Sequence, residues 1–91
     1  MPHRKNIKEI SSILAQLNDA GLIEQFFYEI LTKSELKILS SRWDIVKLLT
    51  RGTTQRKIAR DLHLSLCNIT RGAKELHKKN SAIKKFIQLI L

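Results

Sequence analysis

An all-α fold of about six helices is what this sequence predicts, and three observations carry the expectation. Its one proline, Pro2, lies at the extreme start; its three glycines stand apart at Gly21, Gly52 and Gly72; and its apolar side chains recur at helical spacing. Proline and glycine are the residues that interrupt helices, so their scarcity leaves long helices with few breaks as the natural reading. No internal repeat or low-complexity segment appears.

The elements follow in order. Ile7, Ile10, Ile13, Leu14 and Leu17 mark a first helix over about residues 6–19, ending near Asn18 and Gly21. In the second helix Leu22, Ile23, Phe26, Phe27, Ile30 and Leu31 cover more than one face, the pattern of a helix buried on two sides. Thr32 with Glu35 three residues later forms a capping box, which starts a third helix running to about Thr50, with Gly52 as its stop. On that helix Leu36, Leu39, Trp43 and Val46 make one stripe and Ile45, Leu48 and Leu49 a second. This is more apolar surface than one thin domain can hide, so a partner subunit is expected to cover the excess. Near the end, Asn80 or Ser81 caps a last helix with Ile83, Phe86, Ile87 and Ile90 on one face and Lys84 and Lys85 opposite. Trp43, Phe26, Phe27 and Phe86 sit at helical spacing and read as core rather than as a site.

The stretch TTQRKIARDLHLSLCNITRG, residues 53–72, decides the middle of the chain. A single helix through it would set Leu64 far around the cylinder from Ile69 and have no clean apolar face. A turn at His63, Leu64 and Ser65 instead lets Ile58 and Leu62 on one helix meet Leu66 and Ile69 on the next, with Leu64 plugging the corner. The small Ala59 permits close approach, and Ser65 can accept a hydrogen bond from a backbone N–H near Asn68. This is a central helix-turn-helix over about residues 54–75. Its second helix, about 66–74, projects Cys67, Asn68, Thr70, Arg71 and Lys74, side chains able to touch base edges and phosphates in a major groove. Helix pairs of this kind also occur as plain packing units.

Composition bounds the function. At 91 residues, 43% hydrophobic and 27% charged, the chain is expected to fold as a single domain, 1–91, whose core is marginal on its own. The lone Cys67 excludes a disulfide framework, nothing approaches the apolar length of a membrane span, and the basic start lacks the apolar stretch of an export signal. A cytoplasmic protein without membrane contact is the expectation. Of the net charge of +9, residues 51–91, with 10 basic and 2 acidic side chains, carry +8. A field of that sign and density attracts polyanions, nucleic acid before membrane, because a surface that is merely soluble mixes its signs.

From Leu31 to His77 the chain resembles a known family, with LT, SR, RG, QR and ITRG in order. It is similar to the tryptophan repressors of bacteria, clearly so over those residues, in pattern for the last helix, and only as two helices of suitable length for residues 1–30. The resemblance implies an intertwined all-helical homodimer that binds double-stranded operator DNA when L-tryptophan, as corepressor, fills a pocket in each half. Recognition helices about 34 Å apart would then read a palindromic operator. It further implies that the indole ring lies between Arg42 and Arg71, whose guanidinium planes can stack on an aromatic face while pairing with a carboxylate. Gly72 would let the ring approach the backbone, and the carbonyls of Glu29 and Leu31, with Thr32 beside them, would attract the ammonium group. Gln55, Arg56 and Thr70 match the family's DNA-facing positions, and Arg56 can bridge guanine O6 and N7.

Departures qualify the match. Leu66, Cys67 and Asn68 replace the family's usual residues at the start of the recognition helix, and Ala59 stands where a lysine is common, so the operator is expected to differ. Glu75 stands where a small hydroxyl residue usually helps hold the ammonium; its charge either takes over that role or narrows the pocket. The Gly52–Gln55 stretch is one residue short, His63 replaces a turn glycine, and the family's longer N-terminal arm is largely absent. Without the resemblance, Arg42 and Arg71 read as solvated or phosphate-binding arginines, and Cys67 as a steric choice rather than a redox switch. His3, His63 and His77 lack the pairing of a metal site, so neither a metal nor another cofactor is expected. Two rivals stay open: a nonspecific nucleic-acid-binding protein, for which charge alone suffices, and a small helical enzyme acting on an aromatic carboxylate. No catalytic residue is assigned.

Overall fold

The computed structural model describes residues 3–90, all of whose regular elements are helices, six in number: α1 (Arg4–Gln16), α2 (Ala20–Ile30), α3 (Lys33–Thr50), α4 (Gln55–Leu62), α5 (Leu66–Leu76) and α6 (Ala82–Gln88). The chain forms two compact units, one up to Leu36, with α1, α2 and the first turn of α3, and the other from Lys37 onward, with the rest of α3 and α4 to α6.

In the first unit α1 and α2 flank an apolar groove of about 470 Å³, lined by Ile10, Ile13, Leu14, Leu17, Leu22 and Phe26 among others. Neither helix buries a single residue. The boundary between them lies earlier than apolar periodicity predicts. Leu17 already leaves the helix with extended backbone, and Asp19, also extended, accepts a hydrogen bond from Leu22 N at 3.1 Å. An N-cap carboxylate supplies an acceptor to an otherwise orphaned N–H, and here it sets the start of α2. Gly21 is therefore inside the first turn of α2 and stops nothing. Within α2 the hydrogen bond and negative charge of Glu24 push the Tyr28 phenol above its usual pKa.

The third helix opens on the capping box. Thr32 N donates to Glu35 Oε1 at 2.9 Å and Glu35 N donates to Thr32 Oγ1 at 3.1 Å, each side chain satisfying the other's backbone. It closes at Gly52, whose φ of +89° is a backbone conformation that glycine enters without steric cost. That turn lets Gly52 N and Thr53 N bond back to Leu49 O and Leu48 O at 3.0 Å each.

Local hydrogen bonds then punctuate the rest of the second unit. Thr54 Oγ1 accepts from Lys57 N at 3.2 Å to start α4, and Ser65 Oγ accepts from Asn68 N at 3.4 Å to start α5. Ser81, not Asn80, caps α6, accepting from Lys84 N at 3.2 Å, while Asn80 takes a positive φ of 63° just before it. Between α4 and α5 the chain turns at His63, φ 54° and ψ 43°, so a histidine occupies the left-handed position where glycine is favoured.

The core lies in this second unit. Ile45, Ile58 and Ile69, from α3, α4 and α5, form one cluster, and Leu48, Leu49, Ala59, Leu62 and Leu64 pack against it. Each fully buried isoleucine contributes about 1.5–3 kcal/mol. Leu64 plugs the corner, as its position in the turn suggests. The aromatic residues depart from expectation: Trp43 and Phe26 are half-buried, but Phe27 and Phe86 are exposed, Phe86 by 63%. Seven-residue α6 turns Ile87 inward and leaves Phe86 exposed, and it ends before Ile90, which is exposed beyond the Leu89 C-cap instead of lying on the helix face.

Candidate functional site

Helical spacing divides α5 into three faces. Ile69, Ala73 and Leu76 turn toward the core, the first two buried and the third half-buried. Asn68, Arg71, Gly72 and Glu75, at i, i+3, i+4 and i+7, share a second face. They meet Arg42, Ile45 and Val46 of α3 and Ile83 of α6 around a cavity of about 190 Å³. A second cavity of about 330 Å³ shares Arg42, Ile45, Asn68 and Arg71 with it and is completed by Lys37, Ile38, Ser41 and Leu64.

Two arginines from different helices thus line both cavities. Among the described residues neither Arg42 nor Arg71 forms an ion pair; the pairs are Lys47–Asp44, Arg60–Asp61 and Lys78–Glu75. Two free guanidiniums beside Ile45, Val46 and Ile83 suit a ligand with a carboxylate and a flat apolar body, since guanidinium both stacks on rings and pairs with carboxylates. Gly72 has a packing reason as well: a Cβ there would meet Ile45 Cγ2 at 3.1 Å. Its absence lets α5 lie close against α3. Glu75, half-buried, is the one carboxylate among the residues lining the smaller cavity, and its Oε1 accepts from Lys78 Nζ at 2.9 Å.

Glu29, Leu31 and Thr32 belong to the first unit. Glu29 lines the α1–α2 groove and its carboxylate accepts from Gln25 Nε2 at 2.7 Å. Leu31 is the extended C-cap of α2, and among the described residues no loop or cap N–H is donated to the carbonyl of Glu29 or of Leu31. The Thr32 hydroxyl accepts from Glu35 N in the capping box.

The third face of α5 carries Cys67, Thr70 and Lys74, all exposed, with exposed Leu66 at its first position. Thr70 Oγ1 donates to Gln55 Oε1 at 3.1 Å, joining α5 to the first residue of α4, and Arg56 stands exposed next to it. Asn68, grouped with the DNA-facing residues on sequence grounds, lines the arginine cavities instead of sharing the Cys67–Thr70–Lys74 face. Its i, i+3, i+4, i+7 spacing with Arg71, Gly72 and Glu75 is the signal that finds it. Ile45, Val46 and Ile83 carry no such signal, because a cavity wall and a core wall look alike in an apolar stripe. Among the described residues no group of His, Cys, Asp and Glu could hold a metal ion.

Residues 5–90 match the model of the family described as Trp repressor protein. A Trp operon repressor homolog of Chlamydia trachomatis serovar D is 31% identical over 78 residues, 85% of this chain and 83% of that protein. A Trp operon repressor homolog of Vibrio parahaemolyticus serotype O3:K6 is 29% identical over 91 residues, 99% of this chain and 88% of its own length. No solved structure matches the chain. With a family model matching residues 5–90, nearly the whole sequence, this chain belongs to the Trp repressor protein family, a family of transcriptional repressors.

Proposed function

We propose that the protein is a cytoplasmic, ligand-dependent transcriptional repressor. A homodimer binds a palindromic operator when L-tryptophan occupies each arginine-lined cavity, and it controls genes of tryptophan biosynthesis or uptake. The observation that carries this reading is α5 itself: one face lines the cavity through Arg71, Gly72 and Glu75, while the next presents Cys67, Thr70 and Lys74 outward. A ligand that orders the first face orients the second. The indole stacks between Arg42 and Arg71, and Arg71 also pairs with the carboxylate. Gln55, Arg56, Leu66 and Thr70 meet the duplex with Cys67 and Lys74, while Asn68 stands at the cavity wall beside them, within one DNA-binding domain whose reading motif spans about residues 54–75. The +8 charge of residues 51–91 supplies the phosphate attraction.

Calorimetric titration with L-tryptophan, repeated on Arg71→Ala, tests the pocket; heat in the wild type and its loss in the variant are expected. A gel-shift titration on a palindromic duplex at fixed salt tests the coupling. Binding strengthened by L-tryptophan supports the repressor, and indifference to it leaves charge-driven, nonspecific nucleic-acid binding.

A further inference from the structure

Charges on the smaller cavity's wall are segregated. Arg71 stands four residues before Glu75, a spacing at which oppositely charged side chains on one helix can meet. Yet Glu75 Oε1 accepts from Lys78 Nζ at 2.9 Å, and Arg71 is left without an anion among the described residues. Lys78 comes just after the C-cap His77, and its N–H donates to Glu75 O at 3.3 Å, which anchors its backbone beside the carboxylate. The pair is accessible, with side chains 57% exposed for Lys78 and 40% for Glu75.

A primary ammonium on Glu75 is chemically what the α-ammonium of an amino acid would offer that carboxylate. The geometry points to Lys78 as an internal competitor for the ligand: its Nζ occupies on Glu75 the place that the ammonium of a zwitterionic aromatic amino acid takes. Binding of the amino acid then exchanges one ammonium for another, whereas a carboxylate ligand lacking the amine leaves the Lys78–Glu75 bond intact. Lys78 therefore narrows the preference for the amino acid over its deaminated analogue. Glu75 is the residue that reads the amine. This inference rests on the tryptophan-pocket reading above. An exposed ion pair is weak, so the exchange is affordable, and its removal is expected to shift selectivity by roughly two- to fivefold.

The test is calorimetric titration of the full chain with L-tryptophan and with indole-3-propionate, in the wild type, Lys78→Met, Lys78→Arg and the Lys78→Met/Glu75→Gln double variant. Lys78→Met is expected to raise the affinity ratio of amino acid to analogue by that factor. Lys78→Arg should keep the wild-type ratio, and the double variant should lose the gain. A ratio unmoved by Lys78→Met, or a gain that persists without the Glu75 carboxylate, overturns the competitor role while leaving the tryptophan pocket standing. A wild type that binds neither ligand removes the pocket reading itself, and the competitor with it.

Discussion

Two residues show how side-chain size and backbone conformation trade against each other. At Gly72 the bare backbone costs helix propensity, and Gly72→Ala would recover up to about 1 kcal/mol in an open helix. Here the new Cβ meets Ile45 Cγ2 at 3.1 Å, and Ile45 is itself buried and β-branched, so it gives way poorly. Overpacking of this kind costs about 1–3 kcal/mol and outweighs the gain. A net loss of about 1 kcal/mol is expected in urea denaturation, together with weaker ligand binding. His63 presents the opposite case: its φ of 54° places a side chain where only glycine is free of strain. His63→Gly should stabilise the fold by about 0.5–1 kcal/mol in the same assay, the relief of the left-handed penalty exceeding the extra freedom of the unfolded chain. A fall in stability would mean that the His63 ring makes contacts worth more than the strain.

At the scale of elements, α5 is held by two interactions of unequal strength. The Ser65 cap satisfies one backbone N–H near solvent, with Asn68 N at 3.4 Å, so Ser65→Ala is expected to cost about 1 kcal/mol. Ile69, 0% exposed between α3 and α4, anchors the same helix through packing, and Ile69→Ala is expected to cost about 2–5 kcal/mol. Circular dichroism during thermal unfolding should rank the two variants in that order. The reverse ranking would mean that local capping, rather than the small isoleucine cluster, governs the helix. Since α5 also carries both the cavity face and the outward face, the second variant should weaken ligand binding as well.

At the scale of the whole molecule, the chain leaves unusual apolar area uncovered. Ile7, Ile13, Leu22, Tyr28 and Ile30 of the first unit are each about half exposed or more, and α1 and α2, which carry them, bury nothing. Isolated exposed apolar residues are ordinary, but this many on helices whose own faces are unburied mark an interaction surface. If a second copy covers it, stability is linked to concentration, because association favours the folded state by mass action. The melting temperature should then rise with protein concentration, and sedimentation equilibrium should give twice the chain mass of 10.5 kDa. A monomer with a concentration-independent melt would exclude the dimer.

Much of this was legible in the residues alone, and the reason is distance along the chain. The capping box at Thr32 and Glu35, the Gly52 stop, the turn at His63 and the Ser65 and Ser81 caps each act within about three residues, so local chemistry dictates them. The Asp19 cap was equally local and was masked by a longer apolar stripe and by a glycine two residues on. Other features depend on partners distant in sequence. Apolar periodicity states that a face seeks burial but not what will cover it, so exposed Phe86 and buried Ile87 read alike. Likewise the spacing of α5 sets Asn68 beside Arg71, yet only the packing of α3, α5 and α6 brings Arg42 to the same cavity and turns Glu75 to Lys78. Composition, caps and family membership were thus determined by the sequence itself; which side chains face one another across the helices was decided by tertiary packing, because those contacts exist only once the chain has closed its long loops.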